Sequence, residues 1–150
     1  MPVVRDPEIE TGDDEIGSFT ATRFSDTGGL TQFGAFTETL SPGSRSSNLH
    51  WHASSDEFVY VLSGTVTLRE GDTLTEMEPG MAATFKAGVP VGHYLENRTD
   101  EPVTYLVVGT RSDADVVTYP LSGEVLTLKD GVKTLQDAAG NILRTEKSQR

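Results

Sequence analysis

From about Gln32 onward, apolar and polar positions alternate in short runs rich in β-branched and aromatic residues: GAFTETL, EFVYVL, TVTLRE, AATFKA, HYLEN and VTYLVVGT. Side chains repeat every second residue along a strand, so this period predicts strands; helical periodicity is hard to find. Ser63-Gly64, Glu70-Gly71-Asp72, Glu78-Pro79-Gly80 and Arg98-Thr99-Asp100-Glu101-Pro102 break the runs with turn residues. That spacing predicts an all-β domain, an antiparallel sandwich or barrel.

The flanks carry less pattern. The first thirty residues are polar, and only the stretch from Ser18 to Phe24 has the character of an edge strand; Asp26-Thr27-Gly28-Gly29 reads as a turn. Beyond Tyr119-Pro120, two alternating runs from Val125 to Leu135 meet across Asp130-Gly131, which predicts a hairpin. The charged tail from Arg144 is expected to be mobile, because terminal residues without apolar partners seldom order. The division that follows is an N-terminal extension over 1–30, a barrel over 31–120, and a hairpin with its tail over 121–150. No motif is duplicated, so a single barrel is expected.

Composition then narrows the chemistry. At 150 residues the chain is long enough to bury one substantial core. It has no cysteine, which excludes disulfides, thiolate metal sites and cysteine nucleophiles. A formal net charge of −11 argues against a nucleic-acid surface. No apolar run is long enough to span a bilayer, and the first residues lack the basic start and apolar core of a signal peptide, so no membrane partner and a cytoplasmic location are expected.

Against that background the three histidines stand out. His50 and His52 are two apart and therefore share one face of a strand; Glu57 follows five residues later, and His93 is the third. Imidazole nitrogen and carboxylate oxygen are ligands for first-row divalent metals, and this spacing predicts a metal site on strands.

The first block runs from Gly43 through His50-Trp51-His52 and Glu57 to Gly64. The second runs from Gly80 through Lys86-Ala87-Gly88-Val89-Pro90 to His93 and Asn97. Together these closely resemble the two signature motifs of the cupin superfamily, in particular its small single-domain barrels, over about Gly43 to Asn97. The resemblance implies a double-stranded β-helix, or jelly-roll barrel, holding one divalent transition metal (Fe, Mn, Ni or Zn) on His50, His52, Glu57 and His93. Two departures are present: Lys86 replaces a common proline, and Val91 and Gly92 set His93 further from Gly88, an extra length that Gly92 could absorb as a bulge.

If Glu57 points inward, Val59 and Val61 do too, while Phe58, Tyr60 and Leu62 face out. Such a strand must be covered on both sides, by the terminal segments or by a second subunit; a homodimer through a face bearing Trp51, Phe58 and Tyr60 is one solution. Arg45, Asn48, Gln32, Lys86 and Asn97 are the candidates for substrate contacts; Arg45 reads either as a carboxylate fork or as a surface loop arginine, and Asn97 is often a turn residue in the family. The serines at 44, 46, 47, 54 and 55 have no histidine left to activate them, and no general base stands out. By resemblance, the expected function is a metal-dependent dioxygenase, isomerase, decarboxylase or lyase acting on a small polar or carboxylated molecule. The alternative is a non-catalytic barrel that binds or senses a small ligand.

Overall fold

The computed structural model describes residues 3–148. In chain order its elements are β1 (Glu8–Asp14), β2 (Gly17–Arg23), the one-turn helix α1 (Phe24–Thr27), β3 (Phe33–Leu40), β4 (Trp51–His52), β5 (Glu57–Ser63), β6 (Val66–Glu70), β7 (Thr73–Met77), β8 (Ala82–Phe85), β9 (His93–Glu96), β10 (Val103–Thr110), β11 (Ala114–Tyr119), β12 (Glu124–Lys129), β13 (Val132–Gln136) and β14 (Ile142–Lys147). No helix among the described residues is long and apolar enough to cross a membrane.

The strands form a six-stranded sheet in the order β1-β2-β3-β10-β5-β8, a three-stranded sheet β7-β6-β9 and a five-stranded sheet β14-β13-β12-β11-β4. An isolated antiparallel bridge between His50 and His93 links the two smaller sheets. The inward residues of β3, β5 and β10 pack against those of β6, β7 and β9: Leu40, Val61, Val66, Met77, Leu95 and Tyr105 belong to one buried cluster. This jelly-roll layering follows from strand parity: the buried residues of β5, β9 and β10 fall at every second position, Val59 and Val61, His93 and Leu95, Val103 and Tyr105.

Parity is kept along β5. Val59 and Val61 are buried, whereas Tyr60 is 37% and Leu62 47% exposed, so no described segment covers the outer face. Trp51 is not on that face: it belongs to β4, in a different sheet from Phe58 and Tyr60.

The flanks hold more strand than their pattern suggests. The segment read as an edge strand is β2, with β3 on one side and β1 on the other, so the true edge is the acidic strand β1. Acidic side chains on an exposed edge oppose pairing with another chain. The C-terminal hairpin turns at Asp130 and Gly131, whose φ values of 51° and 76° suit a two-residue turn of the right twist. The stretch from Arg144, expected to be mobile, instead pairs with β13 as β14 up to Lys147, because β13 offers it a free edge; the last two residues of that tail lie outside the described residues.

Candidate metal centre

Three strands deliver His52, Glu57 and His93, and His50 stands just before the first of them. His52 pairs with Val117 of β11, Glu57 opens β5 opposite Gly109 and Phe85, and His93 opens β9 opposite Glu70. His50 joins through its bridge to His93. The extra length before His93 is not a bulge: β9 keeps an unbroken register with β6, and residues 87–92 form a loop. Gly92 is needed there for closeness, since a Cβ at that position would come within 2.7 Å of Leu49 Cγ.

All three imidazoles aim Nε2 at one carboxylate oxygen. Glu57 Oε1 lies 2.9 Å from His93 Nε2, 3.3 Å from His52 Nε2 and 3.9 Å from His50 Nε2. His50, His52 and Glu57 make a group compact enough to hold a metal ion. Phe85 stacks flat on His93, with ring centroids 3.7 Å apart, and fixes its plane.

The far nitrogens of His50 and His52 are tied down as well, whereas His93 Nδ1 is buried without a hydrogen-bond partner among the described residues. His50 Nδ1–H donates to the Asn48 carbonyl oxygen at 2.8 Å, with Ser47 Oγ at 3.1 Å. His52 Nδ1–H donates to Asp115 Oδ2 at 2.8 Å. Asp115 is itself buried and held by Ser54 N–H and Ser55 Oγ–H, each at 2.8 Å, so it cannot turn away. A carboxylate behind a histidine fixes its tautomer and makes the opposite nitrogen a better ligand.

These partners provide a test of whether a cation fits. A neutral imidazole has one N–H, and in His50 and His52 it is spent on Nδ1, which leaves bare lone pairs on both Nε2 atoms facing the Glu57 carboxylate. Acceptor against acceptor is repulsive unless a positive charge sits between them. Protonation is a poor remedy for His50, because burial holds its pKa below the usual imidazole value against the opposing bond to Asn48. At Glu57 burial would raise the pKa, but the His93 hydrogen bond and the neighbouring imidazoles outweigh it and keep the carboxyl below its ordinary range. The same balance, burial against hydrogen bonds from His52, Ser55 and Ser54, lowers Asp115. The Glu57 carboxylate and the inward lone pairs of His50 and His52, with Asp115 behind His52, make a donor set suited to a divalent ion.

Beside this group opens a cavity of about 160 Å³. Trp51, Phe85, Val89 and Val91 give it apolar walls, and Glu70 and Lys86 are its charged residues beyond Glu57. Of the five candidate substrate contacts, Lys86 alone lines it. Arg45 and Asn48 line a separate cleft; Gln32 is exposed and lines neither. Asn97 is fully buried and saturated, donating to the carbonyls of Leu40 and Glu101 and accepting from Thr99, so it locks a turn. The serines that sequence left without a partner are also structural: Ser55 supports Asp115, and Ser46 accepts from Leu95 N–H.

Two residues of the centre escaped the sequence reading. Asp115 interrupts an apolar strand at the same parity as Val117, the partner of His52, and that interruption was its signal. Glu70 was read as part of a turn, yet it is the last residue of β6 and pairs with His93.

The cupin domain model of protein families matches residues 36–109. Among solved structures, a sugar phosphate isomerase of the cupin superfamily from Silicibacter pomeroyi is 37% identical, with a TM-score of 0.79 over 84% of this chain and 80% of that one. A protein of Acidithiobacillus ferrooxidans, for which the same activity is only proposed, is 29% identical with a TM-score of 0.82, covering 93% of this chain and 91% of its own. A Thermotoga maritima protein proposed to be an oxalate decarboxylase, at 20% identity and a TM-score of 0.62 over 73% of this chain and 99% of that one, shares the fold. No curated protein matches the chain.

Proposed function

The chain belongs to the cupin superfamily, and from that premise we propose that it is a divalent-metal-dependent isomerase of a small phosphorylated sugar or a closely similar polyhydroxy anion. The observation that carries the reading is the convergence of three Nε2 atoms on one Glu57 oxygen, with the outer nitrogens of His50 and His52 already committed. His50, His52, Glu57 and His93 would hold the ion, whose contribution is to polarise a carbonyl or a pair of hydroxyls on the bound molecule. The choice among cupin chemistries rests on the 37% identity to a sugar phosphate isomerase.

The remaining roles fall to the cavity residues. Interconverting an aldose and a ketose moves a proton between adjacent carbons and another between their oxygens, with no net redox change. Glu70, the cavity carboxylate that is not directed at the histidines, is suited to take the carbon-bound proton and return it to the neighbouring carbon. Lys86 is exposed at the mouth, where an ammonium can pair with a phosphate dianion. A cavity of about 160 Å³ holds a short carbon chain and leaves the phosphate outside at that lysine. The apolar outer face with Phe58 and Tyr60 is proposed to seat a second copy, tested by sedimentation of Tyr60→Glu, which would then be monomeric.

The test begins with protein purified without a histidine tag and analysed for bound metal. Metal-loaded protein is expected to convert short phosphorylated aldoses to ketoses in heavy water, with deuterium entering the carbon beside the carbonyl. Glu70→Gln should keep its metal while losing turnover and exchange. Metal-loaded protein that neither converts nor exchanges any phosphorylated aldose or ketose would refute the isomerase reading while leaving the metal centre intact.

A further inference from the structure

We propose that a second cleft, on the outside of the small sheet, binds a small molecule carrying a phosphate or carboxylate group and an apolar ring. Arg69 of β6 and Tyr94 of β9 are cross-strand partners, and Arg45 joins the same surface through its bridge to Glu96. Parity puts this surface outside: His93 and Leu95 are buried, whereas Tyr94 and Glu96 alternate with them and are only partly covered. The turn after β11 overhangs it and closes a cleft of about 340 Å³, which shares no lining residue with the metal cavity.

The charge there runs against that of the chain as a whole, which has 23 acidic and 12 basic residues. Both guanidiniums sit over the ring of Tyr94, Arg45 at 5.8 Å and Arg69 at 5.6 Å from its centroid. A guanidinium laid on an aromatic face keeps its in-plane N–H groups free for an oxyanion fork. On Arg45 those groups are sparsely used, and on Arg69 they are held only by long or neutral contacts. Arg45 Nη2 donates to Asn48 Oδ1 at 3.0 Å, its Nε is shielded from solvent without an acceptor, and no carboxylate among the described residues pairs with it. Arg69 gives Nε–H to the Gly71 carbonyl oxygen and an Nη1–H to the Tyr94 hydroxyl at 3.5 Å, and its one ion pair, from Nη2 at 4.0 Å to the fully exposed Asp72, is screened by solvent.

The rest of the lining sets the ligand class. Tyr119 and Leu121 provide apolar surface, with Leu121 70% exposed at the lip. Glu124 is the one acidic residue in the lining and opposes an anion; its presence makes a second prediction. Arg45, which reads from sequence either as a carboxylate fork or as a surface loop arginine, stands on the outside of the barrel, where this proposal gives it the fork.

The experiment is calorimetric titration of metal-free, chelator-treated protein with phenyl phosphate, alongside inorganic phosphate and phenol as its two halves. Phenyl phosphate is expected to bind more tightly than either half. Arg45→Gln and Arg69→Gln should each weaken it by about tenfold or more, the loss that removing a charge-assisted hydrogen bond implies. Glu124→Gln should tighten it, a gain that cannot arise from misfolding. Lys86→Gln, in the other cavity, should leave it unchanged. Absence of phenyl phosphate binding, binding that needs the metal or Lys86, or affinity unmoved by Glu124→Gln together with either arginine change would overturn the proposal.

Discussion

The two ends of the barrel interior are built on the same strands and obey opposite rules. On β5, Glu57 faces the histidines at one end, while Val59 and Val61, two and four residues on, are buried at 3% and 1% exposure in the apolar cluster. On β9, His93 and Leu95 divide in the same way. The apolar end is closed and needs nothing further. The polar end gathers two carboxylates and three imidazoles beside an open cavity, an arrangement that gains nothing from hydrophobic burial and is held in place by the packing below it. One end supplies stability, and the other uses it to hold imidazoles and carboxylates at a fixed geometry.

Substitutions at the two ends should separate these roles. The largest effect is expected from His50→Ala combined with His52→Ala: divalent metal binding, measured by equilibrium dialysis, is lost. Added metal then no longer raises the melting temperature, because binding to the folded state was the source of that rise. The β-sheet circular dichroism signal should survive, since the apolar cluster is untouched. Full metal occupancy in this variant would break the comparison. At the other end, Leu40→Ala removes a fully buried side chain and is expected to cost about 2–5 kcal/mol in urea denaturation, with metal stoichiometry unchanged in the folded fraction. If instead Leu40→Ala left stability intact, the apolar end would not be the support assigned to it.

Legibility in the sequence followed burial. The central strands and the shared face of His50 and His52 could be read because one side of each strand is dry, and dryness is what imposes the alternation. Strands β1 and β14 are exposed along almost their whole length, so no alternation marks them, and only pairing with a neighbour reveals them. Register also decided the fate of the substrate candidates. Arg45 bridges Glu96, three residues from His93 and hence on the opposite face, which sends it outside. Asn97 has the parity of His93 by count, but β9 ends at Glu96 and the chain turns there. Asp115 lies 63 residues from His52, a separation that no local pattern can bridge.

A smaller effect is expected from Asp115→Asn, which sharpens the comparison by changing support without touching a ligand. The amide loses the charge behind His52, and its NH2 must stand in place of one oxygen, either Oδ2, which accepts from His52 and Ser55, or Oδ1, which accepts from Ser54. Metal affinity should fall by about 10- to 100-fold, the usual loss when such an outer partner is removed, while stoichiometry at saturating metal is retained. Unchanged affinity would mean that His52 needs no orientation from behind.

The smallest effect concerns a carboxylate at the apolar end, where the rule for that end predicts discomfort. Glu38 of β3 pairs across the sheet with Tyr105 and accepts its hydroxyl hydrogen bond. Burial raises the Glu38 pKa, and the bond from Tyr105 and the charge of Arg23 only partly oppose this. Burial and the neighbouring Glu38 also hold the Tyr105 hydroxyl well above its ordinary range, so it remains a donor. Because the folded protein keeps the Glu38 proton to higher pH than the unfolded chain, the native state binds more protons between the two values, and stability contributed by this group falls as pH rises through that window. Glu38→Gln retains an acceptor for Tyr105 and cannot ionise. Its urea midpoint relative to the unsubstituted protein should therefore improve as pH rises from the ordinary carboxylate value of 4.5 toward neutrality, and then level off. A constant difference across that range would show that Glu38 ionises there without strain, and that a charge is tolerated at the apolar end as easily as at the metal centre.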